Sequence, residues 1–129
     1  MNPVVHFEMP AEDRKRLIKF YSSVFGWKML QMGPEMGEHV IAHTTETDAD
    51  NMVQTKGAIN RGFFAKSGDQ PNIPSVVIDV EDVKAHSKKV IEAGSKIIGE
   101  PQDIPGVGIW VVFTDNEGDR VSMIRSTRK

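Results

Sequence analysis

The feature that most narrows what this chain can fold into is an internal repeat: the order strand, helix, strand, strand, strand is written twice along its 129 residues. The first copy opens at Val4 to Met9, a loosely alternating segment that reaches Pro10 and is read as a strand. From Ala11 to Phe25, Leu17, Ile18, Tyr21, Val24 and Phe25 recur at three- and four-residue intervals. This predicts a helix with Glu12 and Asp13 in its first turn and Gly26 as its stop. Three shorter β-like segments follow at Trp27–Gln31, Val40–Thr44 and Ala58–Phe64, with Thr45–Lys56 expected as a mobile loop because it has few apolar residues. The second copy has a strand at Ser75–Val80, a helix over about Val83–Ala93 stopped by Gly94, and strands near Lys96–Ile98, Ile109–Thr114 and Arg120–Ile124. Between the copies lies the polar stretch Lys66 to Asn72.

A period of about half the chain implies two similar modules sharing one structure. The expected organisation is a single domain over 1–129, with module one at about 1–66, a linker at 66–72 and module two at about 73–129. The fold class is α+β: two βαβββ modules forming a curved mixed sheet. One helix per module covers the convex face, and the other face is free to curve as a cup around a ligand. With 39% apolar and 26% charged residues, the chain suits one core rather than two.

Charge and composition exclude several classes of function. The net charge is −2, from 16 basic and 18 acidic residues, so no basic field exists to neutralise a phosphate backbone and nucleic acid is not an expected partner. Cysteine is absent, so any metal must be held by His, Asp, Glu or water. No stretch approaches the apolar length a bilayer needs, and the N-terminus enters an alternating segment without a basic region. The expected location is cytoplasmic, without a membrane partner.

The segments Val5 to Pro10 (VHFEMP) and Ile18 to Trp27 (IKFYSSVFGW) resemble the opening strand and helix of the glyoxalase, bleomycin-resistance and extradiol-dioxygenase (vicinal oxygen chelate) superfamily. Val76 to Val83, Glu92 to Gly94 and Phe113 to Arg120 resemble its second module. In metal-dependent members of that superfamily, the resemblance implies four side chains converging in the cup, one from the first and one from the last strand of each module. They hold a divalent cation that polarises the substrate's oxygens. Carried onto this chain, the first strand of module one keeps His6, the matching place in module two is Ser75, and Ser122 stands where a glutamate is found. Asn60 or Gly62 takes the remaining place. One imidazole with hydroxyl and amide neighbours is a poor site for a divalent cation. No cofactor is therefore expected, a divalent metal held through His6 being the alternative.

The candidate catalytic residue is His6, and the candidate substrate-binding residues are His6, Asn60, Ser75, Trp110 and Ser122; no metal ligand set is assigned. His6 is read either as a remnant ligand or general base, or as a pocket histidine hydrogen-bonded to a neighbour such as Glu8. Ser75, Val77 and Asp79 alternate onto the face opposite Val76 and Ile78, which directs Ser75 towards the cup. The Gly-rich run from Ile104 to Trp110 provides either a close backbone approach with an indole wall, or a hairpin with a packed indole. His39 and His43, four residues apart on a strand, are separated by about 13 Å, too far for one metal, and are placed at the surface or pocket rim. His86 shares a helical stripe with Val83 and Val90, and Leu17, Tyr21, Val24, Val76, Ile78 and Val90 are expected in helix-sheet packing. Arg61, Arg120 and Arg125 are read as solvated surface groups, or as holders of an anionic substrate.

The resemblance implies a protein that binds a small organic substrate in its cup as a lyase or isomerase of the lactoylglutathione-lyase kind. The alternative is metal-free binding or sequestration of the bleomycin-resistance type. A homodimer is expected by the same analogy, with the modules pairing either within one chain or across the dimer.

Overall fold

The structure, a computed structural model, describes residues 1–33, 39–50, 52–66, 72–104 and 106–126; the centre of the expected linker and the side chain of Arg61 lie outside the described residues. The elements run β1 (Val4–Ala11), α1 (Arg14–Phe25), β2 (Lys28–Gln31), β3 (Val40–His43), β4 (Asn60–Ala65), β5 (Ser75–Asp79), α2 (Val83–Glu92), β6 (Lys96–Ile104), β7 (Gly108–Thr114) and β8 (Arg120–Ser126). This is the expected repeat of βαβββ. All eight strands form one mixed sheet in the order β2-β3-β4-β1-β5-β8-β7-β6.

The modules join within the chain through β1 and β5, which pair antiparallel with Phe7 opposite Val76, His6 opposite Val77 and Glu8 opposite Ser75. That register is symmetric about the Phe7–Val76 pair and relates His6 to Ser75 and Glu8 to Val77. In each module the first strand also pairs in parallel with the last, Glu8 with Gly62 and Val77 with Ser122. Gly62 and Ser122 are thus the equivalent positions, and Asn60 corresponds to Arg120.

Local chemistry explains the ends of the helices. Asp13 and Asp82, at the same interval as His6 and Ser75, are N-caps whose carboxylates accept the Arg16 and Ala85 backbone N–H groups at 3.1 Å. Such caps contribute about 1 kcal/mol each. Glu12 and Asp13 therefore precede α1 instead of filling its first turn. Gly26 closes α1 in the left-handed region at φ 71, a conformation that costs glycine no steric penalty. Pro10 does not end β1: it lies past the last β1–β5 pair and faces Phe64 of β4, where the free side of the strand needs no N–H donor.

Each helix covers its own module. In the first, Leu17, Ile18 and Tyr21 pack on Ala11, Val40, Ala42 and Phe63, with Phe7 and Trp27 completing an aromatic core. In the second, Val80, Val83, Val111 and Met123 form an aliphatic core with Ile78 and Val90. Two core expectations need correction: Val24 is 56% exposed and Val76 is 39% exposed. The apolar stripe of α1 continues into its last turn, beyond the residues that pack on the sheet. The expected loop Thr45–Lys56 contains a bridge between Thr47 and Val53, and the Asp48 carboxylate there accepts the N–H groups of Asp50 and Met52. Strand β6 is longer than its short apolar run suggested and shifts register between Ile98 and Gln102, where Gly99 has φ 72.

Candidate functional site

On the face of the sheet opposite the helices, alternation along the two central first strands turns His6, Glu8 and Val77 towards a pocket while Phe7, Met9 and Ile78 enter the cores. The pocket is open to solvent, with about 540 Å³ of space between its walls when the open solvent at its mouth is included. Phe64, Val77 and Ile124 form its base. Met32, His39 and Ile41 close one side, and Ile104, Val107 and Trp110 of the β6–β7 hairpin close the other. Among the described lining residues, only His6, Glu8, His39 and the indole N–H of Trp110 carry side-chain nitrogen or oxygen.

At the bottom lies a buried charge pair. Glu8 is 6% and Arg120 2% exposed, and Glu8 Oε2 lies 3.5 Å from both Nη1 and Nη2 of Arg120. The register explains the meeting, since continuing the Val77–Ser122 pairing by two residues sets Arg120 beside Ser75, which is itself opposite Glu8. Arg120 Nη1 donates to Ser75 Oγ at 2.8 Å, and its guanidinium lies 3.9 Å from the centre of the Phe64 ring. Trp110 Nε1 donates to Glu8 Oε1 at 2.9 Å, tying the second module's hairpin to the first module's opening strand. Burial pushes the Arg120 pKa below its ordinary value, and the adjacent carboxylate opposes that shift; a guanidinium nevertheless stays protonated.

The expected site residues separate into two groups. His6, half-buried, and Trp110 line the pocket. Asn60, Ser75 and Ser122 are not among its lining residues. Asn60 Oδ1 instead accepts from the Thr44 backbone N–H at 2.8 Å and from Thr44 Oγ1 at 3.2 Å, fastening the end of β3 to β4. Ser75 is engaged by Arg120. Ser122 is fully buried, facing Val77 and Val112 across the strands, and its Oγ has no hydrogen-bond partner among the described residues. Arg120 is not the solvated group expected of it, whereas Arg125 is exposed. His39, anticipated at the rim, meets the Trp110 ring edge-on with centroids 6.0 Å apart. The central roles of Glu8 and Arg120 were missed. Their one sequence signal is the even spacing of Glu8 from His6 along β1.

The donor set does not fit a divalent cation. The four positions that correspond through the register are His6, Ser75, Gly62 and Ser122, with no carboxylate among them. A Cβ at Gly62 would collide with the Val40 carbonyl oxygen, so that place accepts no side chain. Ser75 Oγ already accepts a hydrogen bond from a guanidinium, and Glu8, the carboxylate nearest His6 in sequence, is compensated by Arg120. No group of three or more His, Asp or Glu residues able to hold a metal occurs among the described residues. Nor, among these residues, is any helix long and apolar enough to cross a membrane.

Comparison with known proteins agrees with this architecture. A family model described as the Glyoxalase/Bleomycin resistance protein/Dioxygenase superfamily matches residues 4–123. A glyoxylase-like domain-containing protein of Didymella fabae is 30% identical over 115 residues, covering 87% of this chain and 84% of that protein. CFP32 of Mycobacterium tuberculosis, which carries a glyoxylase name, is 38% identical over 55 residues, 43% of this chain; the match spans only 21% of that protein's length. Among solved structures, a variant of Streptomyces coelicolor methylmalonyl-CoA epimerase in complex with 2-nitronate-propionyl-CoA aligns with a TM-score of 0.69. That alignment covers 98% of this chain and 96% of the other at 13% identity, a likeness of fold alone. With the βαβββ repeat, the sheet order and a family match over nearly its whole length, the chain belongs to the Glyoxalase/Bleomycin resistance protein/Dioxygenase superfamily.

Proposed function

We propose that the cup binds a small, largely apolar organic molecule without the participation of a divalent metal, and that the protein sequesters or carries that molecule. The observation that supports this reading is the pocket itself: apolar walls from both modules close on a base whose one carboxylate is already neutralised by Arg120. The proposed ligand contacts are His6, Glu8 and Trp110. A cytoplasmic homodimer is part of the proposal, and the exposed apolar end of α1, with Phe20, Val24 and Phe25 each more than half exposed, supports the dimer.

Trp110 offers the test. Titration with small aromatic and dicarbonyl compounds is expected to quench native tryptophan fluorescence, and Trp110→Phe to abolish the response while Trp27 still emits. Elemental analysis after growth with zinc, nickel, manganese and iron, followed by dialysis, is expected to find no stoichiometric metal. Quenching that survives Trp110→Phe, or retained metal, refutes the corresponding half of the proposal.

A second reading, a lyase or isomerase with His6 as general base, is supported by the position of that imidazole in the pocket wall. It requires S-lactoylglutathione formation that is lost in His6→Ala. Loss on chelation as well would place a metal in the reaction.

A further inference from the structure

Resting on the reading of the cup as a small-molecule site, we infer that its occupant is an uncharged aromatic or aliphatic compound that donates a hydroxyl or N–H hydrogen bond to Glu8, and that the site rejects carboxylates.

Glu8 lines the pocket and is only 6% exposed, so a ligand seated there covers what remains open of it. Oε1 accepts from Trp110 at 2.9 Å, while Oε2 faces two guanidinium nitrogens at a long 3.5 Å. A carboxylate has about four lone-pair directions and, ionised, only accepts. These contacts leave acceptor capacity on a side chain that lines the pocket, and the ligand group that uses it is a donor. A ligand that covers Glu8 without donating removes water from that acceptor and replaces it with nothing.

Charge narrows the class further. Arg120 lies at 2% exposure, against the Phe64 ring and Ser75, where a ligand in the pocket does not reach its cationic group. An anionic ligand would therefore meet the nearer member of the pair, a carboxylate whose guanidinium lies behind it, amid Phe64, Val77 and Ile124, where poor screening leaves the nearer charge dominant. A cation gains less than it would beside a lone carboxylate, because Arg120 already compensates Glu8, and it still loses its own hydration. A neutral donor on an apolar body avoids both costs.

The test is isothermal titration calorimetry of the native protein at about pH 8, where an ordinary imidazole is neutral. Four probes share one ring system: 2-naphthol, 2-methoxynaphthalene, 2-naphthoate and 2-(aminomethyl)naphthalene. 2-Naphthol is expected to bind roughly 10- to 100-fold more tightly than the methoxy compound, the range of one hydrogen bond to a charged acceptor. It should also exceed both charged probes. In Glu8→Gln/Arg120→Met, which removes both charges together, 2-naphthoate is expected to approach 2-naphthol. If 2-methoxynaphthalene or 2-naphthoate matches 2-naphthol on the native protein, the inference is overturned while the small-molecule reading stands. Binding of none of the four overturns the inference, the small-molecule reading being decided by the Trp110 titration, and the native series decides even where the double variant does not fold.

Discussion

Removing one member of the Glu8–Arg120 pair should be far more damaging than removing both. In Glu8→Gln the amide keeps an oxygen for Trp110, but it removes the carboxylate that faces a guanidinium of 2% exposure. Breaking a buried pair in this way costs about 3–5 kcal/mol. The 3.5 Å separation is longer than that of a strong charge-assisted bond, and Ser75 and Phe64 still contact the cation, so the lower end is expected, about 3 kcal/mol. At roughly 2.1 cal/mol/K per residue over 129 residues, the unfolding entropy is about 0.27 kcal/mol/K, which converts that loss to a fall in Tm of about 11 °C. Arg120→Met alone strands the carboxylate and should cost a similar amount. The double variant removes both desolvated charges and should lie within about 1 kcal/mol of native, giving a strongly non-additive cycle. Chemical denaturation of the four proteins in urea, with slopes compared to exclude a changed unfolded state, measures each corner. Additive losses, or a Glu8→Gln cost below about 1 kcal/mol, would show that the pair is effectively solvated and that the account of the cup's base is wrong.

Further outcomes follow from other parts of the molecule. Gly62→Ala should destabilise by about 2–3 kcal/mol or prevent folding, because the added methyl collides with backbone of β3 rather than a movable side chain; a Tm within a degree of native would refute the tight strand contact. Phe20→Ser/Phe25→Ser should convert the proposed dimer to a single chain of 14.4 kDa in sedimentation equilibrium, whereas an unchanged mass would move the interface elsewhere. The Asp48 pKa is lowered chiefly by the Met52 N–H and next by that of Asp50. Its support of the turn should therefore be complete above the ordinary carboxylate value of about 3.9 and be lost as pH falls through the lower folded value. Amide NMR shifts of Asp50 and Met52 that move at neutral pH instead would contradict that assignment.

What the sequence by itself determined is what short-range periodicity encodes. Alternation along Val4–Met9 and Ser75–Val80, the three- and four-residue spacing of Leu17, Ile18 and Tyr21, and the stop at Gly26 each depend on neighbours within a turn or a few strand residues. Repetition of that pattern then implied two modules in one sheet, and the resemblance to the superfamily placed His6 in the cup. Only the tertiary structure decided which side chains meet there. Glu8 and Arg120 are 112 residues apart in sequence and Glu8 and Trp110 are 102 apart; their contacts follow from the register of β1 with β5, β5 with β8 and β8 with β7 together. A shift of one residue in any of these pairings would turn one partner to the other face. The same dependence removes Asn60 to Thr44, holds Ser75 under Arg120 and seals Ser122. Local pattern assigns a residue to a face, but its partner across the sheet is set by the sum of several registers, and no single segment of the chain contains that sum.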